Sequence, residues 1–138
     1  MSTSPASTPV RYEVRDAIAH LVLDDPTQSA NTMNDAYVAA MADAVARLRD
    51  DAAAGTVVGA VVSSAKKTFF AGGDLEALVA GTRDDAQRFF DQAEAVKASL
   101  RALETSGVPV VAAINGAALG GGLEIALATH HRIAADGR

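Results

Sequence analysis

Short apolar runs alternating with longer helical patterns predict an α/β domain of repeated crossover units. Thr56 to Val62 and Val110 to Ile114 are short, Val-rich and nearly continuous, as buried strands are. Two longer segments repeat apolar residues every three or four positions, the period of an amphipathic helix. Behind the Val-rich runs come loops of small residues, Ala71-Gly72-Gly73 and Gly120-Gly121-Gly122, where parallel strands gather ligands at their carboxyl ends. With 138 residues, 49% of them apolar, the chain is long and hydrophobic enough for one domain with its own core.

Residues 1–10 begin small and polar, without the basic or apolar regions of a signal peptide, and are expected to be disordered. The folded part is expected to occupy 11–138. Arg11 to Arg15 and Ala17 to Leu23 read as strands, the second closed by Asp24-Asp25-Pro26. Thr32 and Asp35 fit an N-cap pair for a helix over about 34–50. On that helix Tyr37, Met41, Ala44, Val45 and Leu48 share one face, Asp43 and Arg47 pair outside, and Gly55 is the stop.

Asp74 is a natural cap for a short helix over 75–80. Thr82 and Asp85 cap the longest helix, over 84–104, with Ala86, Phe89, Ala93, Val96, Leu100 and Leu103 as its core face. Ser106-Gly107 and Pro109 end it before the strand at 110–114. A helix then opens at the three glycines, and a last strand runs over 131–135. His130 and His131 are adjacent, point to opposite faces and read as structural.

Charge and composition narrow the function. Seventeen acidic and twelve basic side chains give a net charge of -5, with no Lys/Arg run, which argues against a nucleic-acid face. The absence of cysteine excludes disulfides, thiolate metal sites and a cysteine nucleophile, and suits a reducing compartment. No apolar run approaches the roughly 18 residues needed to cross a membrane. A soluble, cytoplasmic protein is expected.

Glycine loses more backbone entropy on folding than any other residue, so three in a row imply a close backbone approach. Unpaired N–H groups at such a turn can hold a negative oxygen. Two donors from two loops, Gly72-Gly73 and Gly120-Gly121-Gly122, would make an oxyanion hole. Tight turns alone would explain one Gly-Gly pair; two sets behind buried strands favour the site. Gly116-x4-Gly121 has the spacing of a phosphate loop but is followed by Gly122 and Leu123 instead of Lys and Ser/Thr. Gly-x-Gly-x-x-Gly fails at Ile125. Glu124, between Leu123 and Ile125, combines apolar neighbours with a helix N-terminus, a setting within reach of acid–base work; a solvent-facing helical Glu is the plainer alternative. Lys66 and Lys67 read as solvated, with a ligand phosphate as their other use.

Phe70-Ala71-Gly72-Gly73-Asp74 followed by Asn115-Gly116-Ala117-Ala118-Leu119-Gly120-Gly121-Gly122-Leu123-Glu124 resembles the crotonase, or enoyl-CoA hydratase/isomerase, superfamily. Ala30-Asn31-Thr32-Met33-Asn34 resembles its early CoA-side motif. The resemblance extends over the chain after residue 10. It is nearest the hydratase part of multifunctional fatty-acid oxidation α-chains, which carry a 3-hydroxyacyl-CoA dehydrogenase part further on. It implies the N-terminal portion of a crotonase-like ββα spiral. It also implies hydration of trans-2-enoyl-CoA to 3-hydroxyacyl-CoA in β-oxidation, with acyl-CoA as substrate and no metal or redox cofactor.

By the same resemblance Gly73 and Gly121 form the oxyanion hole and Glu124 activates water. Ala30, Asn31, Ala71, Gly72, Asp74, Leu75 and Gly120 contact the substrate and its CoA moiety. The full-length form is expected to be a homo-oligomer or part of a multienzyme assembly. Family hydratases use a second glutamate on a loop after the last strand seen here, so the chain is expected to be incomplete and weak or inactive alone. An enoyl-CoA isomerase, an acyl-CoA hydrolase and a non-catalytic CoA-binding subunit are the alternatives.

Overall fold

The computed structural model describes residues 7–137. Residues 1–6 of the expected disordered segment therefore lie outside the described part. Five strands form one sheet in the order β1-β2-β3-β4-β5: Val10–Arg15, Ile18–Leu23, Gly59–Ser64, Val110–Ile114 and His131–Ala134. β1 and β2 are an antiparallel hairpin, and every later neighbour is parallel. The first strand starts one residue before the expected boundary, because Val10 is buried opposite Leu23 and Pro9 accepts from the Asp24 N–H at 2.8 Å.

Helices connect the parallel strands. α1 (Asp35–Ala53) joins β2 to β3; α2 (Leu75–Ala80), a 3-10 turn (Arg83–Asp85) and α3 (Ala86–Glu104) join β3 to β4; α4 (Gly121–Leu127) joins β4 to β5. The core is built from Leu21, Leu23, Val62, Val110 and Ala112 of the sheet with Tyr37, Met41, Ala44, Val45 and Leu48 of α1. Those five helical residues are the face that the apolar period picks out. Phe69, Phe70, Leu103, Ile125 and Ala126 close it. The ring of Phe70 meets that of Tyr37 edge-on, with centroids 5.0 Å apart.

Several expectations need correction. The cap of α1 is Asn34, whose Oδ1 accepts from the Tyr37 N–H at 2.8 Å, and not Thr32. Asp43 and Arg47 form no ion pair among the described residues. The Arg47 guanidinium instead lies 4.4 Å from the centroid of the Tyr12 ring, which β1 presents to it. β3 starts at Gly59, since residues 56–58 are a lead-in whose Val58 N–H donates to Ala17 O at 2.8 Å. α3 buries only Ser99 and Leu103. Its expected core residues Ala86, Phe89, Ala93 and Val96 stay exposed or half-buried because the helix stands off the sheet over its first four turns. The Asp74 cap of α2, accepting from the Ala77 N–H at 3.0 Å, is as expected, whereas the Thr82–Asp85 capping box closes the 3-10 turn and not α3, whose N-cap Asp85 makes no side-chain cap bond.

Asp16 and Ala17 turn the hairpin with φ of 51° and 62°, the positive values a two-residue turn requires. Aspartate tolerates this; alanine does so at a penalty of about 1–2 kcal/mol, partly offset by glycine's larger unfolded-state entropy. Ala17→Gly is expected to raise unfolding stability by about 0.5–1 kcal/mol, read as a higher urea midpoint at unchanged m-value.

Candidate active site

The site begins with the loop between β2 and α1. Buried Asn31 gives its whole side chain to the fold. Its Oδ1 accepts from the Asp25 N–H at 3.0 Å, and its Nδ2 faces Leu23 O, Ser64 Oγ and Phe69 O at 3.2, 3.0 and 3.2 Å. One amide thus joins the ends of β2 and β3 to the loop before α2. Buried Asp25 supports the same loop, accepting from the Thr27 N–H and hydroxyl at 2.9 and 2.7 Å and from Asn34 Nδ2 at 2.9 Å. Burial pushes the Asp25 carboxyl up, but these donors and the Lys66 charge outweigh it and hold the group below the usual carboxylate range. Asp24 is treated alike: burial raises it, and Lys66, at 3.1 Å, with Arg11 brings it down further. Lys66 is therefore an ion-pair partner and not the solvated phosphate ligand considered above, whereas Lys67 is exposed.

This loop delivers Met33 to the glycines. The Met33 N–H donates to Gly72 O at 2.9 Å, and the Ala71 N–H to Asn31 O at 2.8 Å. Gly72 has φ of 102° and Gly120 φ of 49°, backbone conformations that a side chain would strain. The 120s loop is hooked onto the 70s loop, with the Leu119 N–H donating to Phe70 O at 3.0 Å. A Cβ on Gly122 would lie 2.5 Å from Phe70 Cβ and 2.9 Å from Phe70 O, so only glycine lets α4 sit this close. A Cβ on Gly121 would meet the flexible tip of Met33, with Cε at 2.5 Å.

Under α3 lies a cavity of ≈ 710 Å³. Gly73, Asp74, Gly121 and Glu124 all line it, together with Met33. Among the described residues no acceptor takes the N–H of Gly73, nor that of Gly121, the first residue of α4. Glu124 Oε2 lies 3.9 Å from where a Gly121 Cβ would be, which sets the carboxylate beside that donor. The expected apolar shell around Glu124 is absent: Glu124 is exposed, and Leu123 and Leu127 are 48% and 60% exposed beside it.

Ala30, Asn31, Ala71, Gly72, Leu75 and Gly120 do not line the cavity. The Asn31 amide is buried and fully engaged within the fold. Gly72 is buried and holds Met33, while Leu75 is 72% exposed on α2. Sequence reasoning missed Met33 as a wall residue, and also Leu78, Phe89, Val96 and Leu100. For Phe89, Val96 and Leu100 the signal was the apolar period of α3, which reports an apolar setting but not whether protein or ligand supplies it. His130 is structural as expected: its Nδ1 accepts from the Val110 N–H at 2.9 Å, and its Nε2 is 2.9 Å from Glu104 O.

The mixed sheet with its two interlocked glycine loops around a cavity defines a crotonase-fold protein. Residues 13–137 match the enoyl-CoA hydratase/isomerase family, and the chain belongs to that family. It is 40% identical over 122 residues to the fatty acid oxidation complex subunit alpha of Shewanella loihica, a match covering 88% of this chain and 17% of that one. A Mycobacterium abscessus protein described as an enoyl-CoA hydratase/isomerase superposes with a TM-score of 0.79 at 37% identity, covering 91% of this chain and 47% of the other. The enoyl-CoA hydratase of Bacillus anthracis, at 22% identity and a TM-score of 0.79, shares the fold. The chain thus spans about half the length of these solved proteins, at 47% of each, and 17% of the curated relative.

Two outcomes follow from the packing and the charges. Gly122→Ala is expected to destabilise by about 1–3 kcal/mol or more, since Phe70 Cβ and O cannot yield, while Gly121→Ala shifts only Met33 and costs less; paired thermal unfolding curves check the order. Asp24 and Asp25 have folded pKa values below their unfolded ones, so their stabilisation is complete above about pH 4 and is lost as pH falls through the folded values. Urea midpoints are therefore expected to drop between neutral pH and about pH 3, with a shallower drop in Asp25→Asn.

Proposed function

We propose that this chain carries the oxyanion hole and one catalytic carboxylate of a trans-2-enoyl-CoA hydratase. The thioester carbonyl oxygen sits between the N–H groups of Gly73 and Gly121. Water attacks Cβ while Glu124 takes one of its protons. The π electrons move toward the thioester, and the resulting enolate oxygen is held by the two donors. A proton delivered to Cα then gives the 3-hydroxyacyl-CoA, and water plus enoyl thioester balance the product without a metal or redox cofactor. By the family resemblance a second glutamate takes part in the same addition.

One observation carries this reading. Two N–H groups without acceptors and a carboxylate share one cavity wall. Removing one oxyanion donor typically costs about 3 kcal/mol of transition-state stabilisation, so the pair would supply a substantial part of the acceleration. The CoA moiety is assigned to the surface outside the cavity near Ala30, Ala71 and Leu75. Asn31, Gly72 and Gly120 shape that surface, and Asp74 caps α2 at its edge. Among the described residues no helix is long and apolar enough to cross a membrane. The cysteine-free composition agrees with a reducing compartment, and we place the activity in the cytoplasm, within an assembly like the complex for which the curated relatives are named.

The test is loss of the conjugated-thioester absorbance of a short trans-2-enoyl-CoA. Glu124→Gln is expected to lower the rate by about 10²–10⁴, the usual contribution of a positioned acid or base. Equal rates in the two proteins would remove Glu124 from the mechanism. No acyl-CoA binding by either protein, read as an unchanged thermal midpoint on titration, would overturn the reading.

A further inference from the structure

We propose that Met33 is an oxidation-sensitive site whose sulfoxide oxygen takes the N–H of Gly121. On the reading that Gly73 and Gly121 hold the thioester oxygen, oxidation then shuts the site. The Met33 backbone is fixed where the two glycine loops meet. Its N–H donates to Gly72 O at 2.9 Å, and the residue bridges Gly73 in parallel. Only the side chain is left to move, and it lines the cavity beside Gly73, Gly121 and Glu124. Its tip lies against Gly121, with Cε and Sδ 2.5 and 3.1 Å from where a Cβ on that residue would stand. No described acceptor takes the Gly121 N–H, and a thioether sulfur accepts only weakly.

Exposure and chemistry both single out this methionine. Met41 is 1% exposed inside the core, whereas Met33 is half-buried on a cavity wall, within reach of a small peroxide. The sulfur lone pair attacks one oxygen of hydrogen peroxide, the O–O bond breaks and a sulfur–oxygen bond forms. The hydroxide released takes the proton left on the new S–OH and departs as water. Sulfur loses two electrons and the peroxide gains them. The product sets a polar oxygen among apolar walls, where it is costly without a donor. The side-chain donors of the cavity are engaged elsewhere. Gln92 Nε2 donates to Asp35 Oδ1 at 2.7 Å, Arg88 is 3.7 Å from Asp35, and Lys97 pairs with Glu94 at 2.7 Å. Asn34 Nδ2 donates to Asp25 at 2.9 Å. The backbone N–H groups of the glycine loops are the donors left, and Gly121 is the one beside the sulfur.

Hydrogen peroxide is the probe. Peptide masses after mild treatment are expected to show an added oxygen at Met33 and none at Met41. The Gly121 amide proton is expected to move downfield in a nitrogen–proton correlation spectrum. Butyryl-CoA, which the hydration step cannot consume, is expected to bind about tenfold more weakly, and hydration of a short trans-2-enoyl-CoA to slow on the order of a hundredfold, the usual effect of losing one oxyanion donor. Methionine sulfoxide reductases of both stereochemical classes reverse the changes. Met33→Gln, whose side-chain oxygen imitates the sulfoxide, is expected to shift the Gly121 amide without peroxide. Met33→Leu, compared with its own untreated form, is expected to keep its amide position and its affinity after treatment. A Met33 that peroxide leaves intact would overturn the inference, as would oxidation of Met33 with the Gly121 amide unmoved. So would equal peroxide sensitivity in Met33→Leu. A shifted amide with unchanged acyl-CoA affinity and hydration would leave the modification site standing and sink the oxyanion-hole reading.

Discussion

The site depends first on the side chain of Asn31. Chain segments near residues 23, 25, 64 and 69 converge on a single carboxamide, three of them through backbone groups and one through the Ser64 hydroxyl. The Asp25 N–H and Phe69 O have no other partner among the described residues, and leaving one such buried group unpaired typically costs about 1–3 kcal/mol; Leu23 O and Ser64 Oγ are shared with Ala65, Lys66 and Thr68. The amide therefore ties the loop before α1 to the paired ends of β2 and β3 and to the loop leading to Gly72. Asp25 and Asn34 extend the network to the start of α1, so the same hydrogen bonds cap a helix and place Met33 against the glycines.

From that anchor the two glycine loops divide the work between packing and presentation. Gly122 has no room for a side chain because α4 rests directly on Phe70, whose ring also fills the core beside Tyr37. Gly121, one residue earlier, points toward the cavity and leaves its N–H free of any described acceptor. Close packing at one glycine is thus what aims the donor at the next. Glu124, one turn into the same helix, follows rigidly.

Much of this could be read in the residues, and the misses share a cause. The α1 face from Tyr37 to Leu48 was legible because helical period and local capping are encoded within a few residues of one another. So was the meeting of the two glycine loops, since loops after parallel strands share one end of a sheet; Gly73 and Gly121 were singled out by the family resemblance. What escaped were partners fixed only by tertiary approach. Arg47 chose the Tyr12 ring over Asp43, and Lys66 chose Asp24 over solvent. The inward partners of the Asn31 amide, Leu23 O and Phe69 O, were equally beyond local reading. α3 shows the limit most plainly: Phe89 to Leu100 carry the same apolar spacing as α1, yet they line a cavity.

The way α3 is held bears directly on what that cavity can accept. Its carboxyl end is fixed by buried Leu103, by His130 on Glu104 O, and by Arg49 Nη1, which donates to Ala102 O and Thr105 O at 3.1 and 2.8 Å. Its amino end has no buried residue before Ser99 and is tied across to α1 by the exposed contacts of Gln92 and Arg88 with Asp35. Exposed polar contacts of this kind contribute about 0–1 kcal/mol each, far less than a buried apolar side chain. The helix is in effect a beam clamped at one end, and local opening is cheapest where few apolar contacts are buried. The Leu100 end of the cavity is therefore set by the core, while the Phe89 end, beside Gly81 at the close of α2, is the easier one to move.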